Sequence, residues 1–200
     1  MSYFVTGTDT HIGKTFISCL LCIKTGFQYW KPIQSGINPI TDSQWISKYI
    51  DKKKIITEVY RLKQSVSPDY AASLENIKIN IDQIIKKRPT GNSIIEGAGG
   101  LYVPINDNQL QIELIKELKF EVILVARGTL GTINHTLLSI DALRKYQIPI
   151  FGIVINGEVQ NNSIEAITKF SHIKILGQIP KLKKINKQQL LSTSKNIQLG

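Results

Sequence analysis

Tyr3-Phe4-Val5-Thr6-Gly7-Thr8-Asp9-Thr10-His11-Ile12-Gly13-Lys14-Thr15 constrains this chain more than any other stretch. A short apolar strand runs into a glycine-containing loop, and the loop opens a helix with Gly-Lys-Thr. Glycine lets successive N–H groups turn toward one anion, and a helix N-terminus adds its partial positive charge. Lys14 then offers a full charge to the β- and γ-phosphates of a nucleotide, and Thr15 a hydroxyl to Mg2+. The spacing is a variant, because Thr8 holds the first position of G-x-x-x-x-G-K-[ST] and Gly7 lies one residue early. The plain alternative is a turn that only joins strand to helix, and such a turn has no use for a Lys-Thr pair directly after its glycine.

The remaining strands and helices alternate. The apolar content of Lys14 to Lys24 predicts a buried helix ended by Thr25-Gly26, followed by a strand at Phe27 to Trp30 that delivers Lys31-Pro32-Ile33-Gln34-Ser35-Gly36. A helix is predicted from Ser43 to Ile50, with Thr41 or Asp42 as its cap. Asp42 also reads as a Mg2+ ligand, since a carboxylate near a phosphate cradle suits that ion. Residues 51–75 show little periodicity, Ser65-Val66-Ser67-Pro68 reads as a rim loop, and a helix follows from about Asn80 to Lys87. Asn92 to Ile95 predicts a short buried strand ending in Glu96-Gly97-Ala98-Gly99-Gly100, which sets an acid beside a nucleotide's metal and lets backbone approach phosphates.

A helix from Gln109 to Leu118 precedes Glu121-Val122-Ile123-Leu124-Val125-Ala126, a run suited to a strand covered on both faces. The segment Arg127 to His135 then enters a helix, Thr132 to Tyr146, whose first N–H groups form a second potential anion site. Ile150 to Ile155 is another buried strand, stopped by Asn156-Gly157. Asn156 reads either as a reader of a base edge or as a simple turn residue. Asn162 to Phe170 predicts a helix, Lys174 to Gln178 a last strand, and Ile179 to Leu182 a rim loop before a basic tail. Right-handed crossovers give an α/β fold, one domain over residues 1–200, with a mainly parallel sheet of about seven strands covered by helices on both faces.

Composition narrows the function classes. With 200 residues, 42% hydrophobic and 20% charged, the chain has the material for one buried core. Its longest apolar runs fall far short of the roughly 18 residues of a membrane span, and the opening residues lack a secretion-signal pattern. The net charge of +10 raises nucleic acid as a partner, yet the lysines are scattered and lack interleaved aromatics to stack bases. A basic exterior suited to small anionic substrates fits better. Cys19 and Cys22 fall inside an apolar helix and read as core residues of a protein kept in a reducing, cytoplasmic compartment, with no redox or metal role.

Taken in order, Gly7-Thr8-Asp9-Thr10-x-Ile12-Gly13-Lys14-Thr15, Lys31-Pro32-x-x-Ser35-Gly36, Ser67-Pro68, Glu96-Gly97-Ala98-Gly99-Gly100, Leu130-Gly131-x-Ile133-Asn134-His135, Asn156 and Gly177-x-Ile179-Pro180 resemble dethiobiotin synthetase over nearly the whole chain. That family is a branch of the P-loop NTPase superfamily and has the same variant loop. The resemblance implies an ATP- and Mg2+-dependent cyclo-ligase of biotin biosynthesis. It would act on 7,8-diaminononanoate and CO2 (bicarbonate) to give dethiobiotin, ADP and phosphate, as a cytoplasmic homodimer.

By the same resemblance Lys31, Lys14 and Thr10 are catalytic, and Thr15, Asp42 and Glu96 hold the metal. ATP would lie on His11, Ile12, Gly13, Lys14 and Thr15, on Asp42, on Glu96, Gly97, Ala98 and Gly99, and on Asn156, Gly157, Pro180, Lys181 and Leu182. The substrate would meet Ser35, Leu130, Thr132, Ile133 and Asn134. His11 stands where the family is expected to carry Glu, and the tail after Leu182 is short and basic. The rival reading is a P-loop switch or partitioning ATPase. Against it, no second signature lysine opens the loop, and Asn186-Lys187-Gln188-Gln189 lacks the acid of a guanine motif.

Overall fold

A computed structural model describes residues 1–199. In chain order the first half contains β1 (Ser2–Gly7), α1 (Lys14–Thr25), β2 (Gln28–Trp30), β3 (Ile33–Ser35), α2 (Asp42–Ile46), β4 (Ile55–Ile56), β5 (Tyr60–Leu62), α3 (Pro68–Leu74), α4 (Ile81–Lys86) and β6 (Ser93–Glu96). The second half adds α5 (Gln111–Leu118), β7 (Glu121–Arg127), α6 (Thr132–Lys145), β8 (Ile150–Asn156), α7 (Asn161–Ser171), β9 (Ile175–Ile179) and α8 (Lys187–Ser194).

Seven strands form one sheet in the order β4-β2-β6-β1-β7-β8-β9, and every pairing within it is parallel. Val122 through Ala126 are wholly buried in β7, as a strand covered on both faces requires. Alternation along β1 divides the core: Phe4 joins Ile84, Leu114, Ile140 and Ile167 of α4 to α7, while Tyr3 and Val5 join Ile17, Leu20 and Leu190 of α1 and α8. Parallel strands share one carboxyl edge, so Gly7, Lys31, Glu96, Arg127 and Asn156 all end on the same rim. Ligands of open α/β sheets bind at that edge.

The α/β architecture and the seven parallel strands agree with the sequence reading, and four local expectations do not. The helix expected to reach Ile50 stops at Ile46, where the chain turns through Lys48 N to Trp45 O and Tyr49 N to Ile46 O. Residues 51–75 contain β4, β5 and α3, and Pro68, expected in a loop, starts α3 at the position where its fixed φ suits a helix. The chain after Lys31 is strand β3, paired with β5 in a second, two-stranded parallel sheet. The expected basic tail holds α8, whose Leu190 is buried with Ile197, and Gln198 N returns to Leu176 O at 2.6 Å.

Gly152 shows how tightly the sheet is packed away from the rim. A Cβ there would lie 2.5 Å from Leu176 Cγ of β9, closer than packed carbons allow. Overpacking of this kind costs about 1 to 3 kcal/mol. We expect Gly152→Ala to lower the melting temperature by several degrees in thermal unfolding followed by circular dichroism, while nucleotide affinity, set at the other end of the strand, is retained.

Candidate active site

The loop between β1 and α1 is held from three sides. Thr8 N donates to Val125 O at 3.0 Å, and Asn156 Nδ2 donates to Ile12 O at 2.8 Å. The Arg127 guanidinium pairs with the Asp9 carboxylate. Asp9 Oδ1 also accepts from Thr10 N at 2.7 Å, and this hydrogen bond, followed by Arg127, keeps the carboxyl below its usual range. His11 and Gly13 take left-handed φ values of 55° and 90°. At Gly13 a side chain is doubly excluded, because a Cβ would also run into the Asn156 amide.

Two buried lysines on this rim have opposite surroundings. Lys14 Nζ donates to Asp9 O at 3.1 Å and has no carboxylate in contact; burial lowers its pKa to about 8 despite the field of Glu96. Lys31 lies between two acids, with Nζ 2.5 Å from Asp42 Oδ2 and 2.9 Å from Glu96 Oε1. Burial pulls the Lys31 ammonium down, but Glu96 and Asp42 outweigh it and hold the pKa above the ordinary lysine range. Asp42 is shifted down in turn, since Lys31 overcomes the effect of its own burial.

The double reading of Asp42 resolves through its neighbour. Thr41 is the cap of α2: its Oγ1 accepts from Gln44 N at 3.1 Å, and Gln44 Oε1 accepts from Thr41 N at 2.8 Å. Asp42 is therefore free to face the loop, where its Oδ1 lies 3.0 Å from Thr15 Oγ1. Thr15 Oγ1 is also 2.8 Å from Glu96 Oε1. Two carboxylates and a hydroxyl make a hard-oxygen donor set, which fits Mg2+ sharing its remaining positions with water and phosphate. No cluster of three His, Cys, Asp or Glu side chains that could hold a metal alone occurs among the described residues.

A cavity of about 610 Å3 brings together residues expected to serve nucleotide, catalysis and substrate: Thr10, His11, Gly13, Lys14 and Thr15 from the loop, Lys31 and Ser35 from the chain after β2, then Asp42, Glu96, Ala98 and Gly99. Ile12 is buried beneath the loop and Gly97 against the ring of Phe4. Leu130, Thr132, Ile133 and Asn134 line a different cavity of about 710 Å3, shared with the segment from Glu158 to Ser163. Asn156 ends β8 and Gly157 follows it, with the Asn156 amide nitrogen committed to the loop; Pro180 and Lys181 are exposed beyond β9, and Leu182 packs against the α1 side of the core.

Sequence reasoning missed three contributors. Tyr29 OH donates to Glu96 Oε2 at 2.8 Å, Gln34 Oε1 accepts from Asp42 N at 3.1 Å, and Arg127 anchors Asp9. Only Tyr29 carried a signal: it precedes Lys31 by two residues, the period that returns a strand to the same face. Cys19 and Cys22 are buried free thiols, as read from the sequence, and burial raises Cys19 to about 12.

A family model described as an AAA domain matches residues 1–189. Among solved structures, MinD of Pyrococcus horikoshii superposes with a TM-score of 0.60 at 14% identity, covering 98% of this chain and 95% of that one. A ParA family ATPase of Chlorobium tepidum gives 0.57 at 14% identity, over 96% and 90%. At such identity these likenesses show the fold alone. Sequence relatives are far nearer. The ATP-dependent dethiobiotin synthetase BioD of Lawsonia intracellularis is 44% identical over 190 residues, 95% of this chain and 93% of the relative. The protein of the same name in Agrobacterium fabrum is 39% identical over 95% of this chain and 91% of its own length. In the bifunctional BioCD of Bordetella avium the match is 40%, over 97% of this chain and 42% of that larger protein. With a phosphate loop, an acid pair and an early lysine converging on one rim, and with identity of this level along almost the full length, the chain belongs to the dethiobiotin synthetase family.

Proposed function

We propose that the site closes the cyclic urea of dethiobiotin from 7,8-diaminononanoate, CO2 and ATP. The observation that carries this reading is the placement of Lys31, a buried cation between two acids at the mouth of the phosphate loop. In the reaction implied by the family, one amine of the diamine adds to CO2 as a carbamate. A carbamate oxygen then attacks the γ-phosphorus, ADP leaves, and the second amine attacks the carbamoyl carbon and expels phosphate. The phosphoryl step brings two anions together, so fixed positive charge is the main requirement.

The chain's own residues supply it. Lys14 and the N–H groups from Thr10 to Lys14 neutralise the β- and γ-phosphates. Lys31 faces the carbamate and the transferred phosphoryl group, and Ser35 touches the diamine end. Thr15, Asp42 and Glu96 would hold Mg2+, which when bound screens phosphate charge. Asn156, Gly157 and the Pro180 to Leu182 loop would frame adenine, with Asn156 Oδ1 as the half of its amide left for a base.

Homodimer formation and a cytoplasmic location belong to the same proposal. The proposed substrate residues divide between two cavities of one chain, Ser35 in one and Leu130 to Asn134 in the other, and Leu130 is fully exposed. A second copy that brings its Leu130 to Asn134 segment against the first site accounts for both facts. Among the described residues no helix is long and apolar enough to cross a membrane.

The direct assay is ADP release with ATP, Mg2+ and bicarbonate, with and without the diamine. Turnover indifferent to the diamine would refute the proposal. Lys31→Ala should abolish ring closure in a folded protein. In the absence of nucleotide it should also bind Mn2+ more tightly than wild type, because the ammonium no longer competes for the Asp42 and Glu96 oxygens; Mn2+ titration by electron paramagnetic resonance reads this, and weaker binding would contradict the placement.

Asp42→Asn and Thr41→Ala should separate chemistry from capping. The first is expected to lose Mg2+-dependent turnover with a small change in melting temperature, and the second to lose about 0.5 to 2 kcal/mol of stability while retaining turnover. Lys14 sets a pH dependence. Its pKa of about 8 in the free protein rises when phosphates bind, so metal-free ATP affinity should be full below pH 8 and fall as pH rises above it. Calorimetry in EDTA should then detect proton uptake on binding near pH 8.

A further inference from the structure

Tyr29 is the one wholly buried polar side chain in contact with the acid pair that the reaction described above does not use. It sits on β2, and the strand period of two sets it on the same face as Lys31. Glu96, itself 1% exposed, ends the neighbouring strand β6, and the two strands pair in parallel. The two oxygens of Glu96 are thereby separated by partner. Oε2 accepts from Tyr29 OH at 2.8 Å; Oε1 accepts from Lys31 at 2.9 Å and from Thr15 at 2.8 Å.

We propose that Tyr29 is a positioning residue that holds the plane of the Glu96 carboxylate, so that one oxygen and not both faces the phosphate loop. A carboxylate on a rotatable side chain presents either oxygen, or both, to a nearby cation. A phenol donor anchored in the core restricts that freedom, because a rotation that turned both oxygens toward the loop would strand a buried hydroxyl without an acceptor. Oε1 is then held where Thr15 and Lys31 meet, as the single oxygen that Glu96 offers to a divalent cation. Groups that orient a metal's oxygen donors through one hydrogen bond commonly govern affinity by about 10- to 100-fold.

This inference rests on the reading of Glu96 as a metal ligand, and the test keeps the two apart. Affinity for a fluorescent ADP analogue is measured in EDTA and again across Mn2+ concentrations, for wild type, Tyr29→Phe and Glu96→Gln. The phenylalanine variant keeps the ring that fills the core, so circular dichroism should show it folded. Its affinity in EDTA should stay within about twofold of wild type, whereas the tightening produced by Mn2+ should fall about tenfold or more. Glu96→Gln should lose that tightening as well. If Glu96→Gln loses it and Tyr29→Phe does not, Tyr29 is structural and the inference is wrong. If neither loses it, Glu96 is not a metal ligand and both readings fall.

A drop in melting temperature for Tyr29→Phe with unchanged Mn2+ dependence also overturns the inference. Wild-type protein carrying 3-fluorotyrosine gives a second measurement that needs no substitution. A buried tyrosine fluorine signal should shift when Mg2+ is added to the protein with bound ADP, because its acceptor becomes a ligand, and spectra without such a shift would count against the proposal.

Discussion

Everything on the rim is arranged around one balance, the ammonium of Lys31 against the carboxylates of Asp42 and Glu96. A buried charge without a partner is costly enough that the fold must supply one, and here four separate segments converge to do so. β2 delivers the lysine, β6 the glutamate, α2 the aspartate, and α1 the threonine hydroxyl that meets both acids. One positive charge cannot neutralise two negative ones. The cluster therefore stays receptive to a further cation, and a divalent ion entering it competes with Lys31 for the same oxygens.

The phosphate loop depends on this balance less than on its anchors. A loop that holds a non-glycine residue, His11, in the left-handed region carries conformational strain and persists only where its surroundings hold it. Asn156 holds the Ile12 carbonyl and Arg127 holds Asp9, so the ends of β7 and β8 brace a loop that β1 begins. Asn156 thus has work to do before any base arrives. Its place under Gly13 also gives that glycine a steric reason beyond its φ value.

Much of this was legible in the sequence because its signals are local. Continuous apolar runs identified β7 and β8, and Gly13-Lys14-Thr15 identified the loop from chemistry that few other contexts need. β3, β4 and β5, at two or three residues each, are too short to show a period, and they form only because a neighbouring strand supplies hydrogen bonds. α8 was hidden within a basic tail, since a short helix that buries chiefly one leucine leaves little apolar stripe. Asp42 and Thr41 were ambiguous because both residue types cap helices; only the reciprocal contact with Gln44 assigns the cap to Thr41. Tyr29 is a core aromatic, and its hydroxyl acquires a role only through a residue 67 positions away.

The two lysines show why residue type alone does not set a role. Lys14 and Lys31 are 7% and 6% exposed and line the same cavity, yet their charges are held by different means. Lys14 has one backbone carbonyl, and desolvation leaves its proton loosely held, with a pKa of about 8. Such a cation gains most from a polyphosphate, which supplies the counter-charge that the protein does not. Lys31 already has two acids and keeps its proton throughout the range in which the enzyme would work. It gains from an anion only when those acids are otherwise engaged. In the proposed reaction, nucleotide binding and activation of the carbamate therefore fall to different lysines, distinguished by the number of carboxylates each one touches.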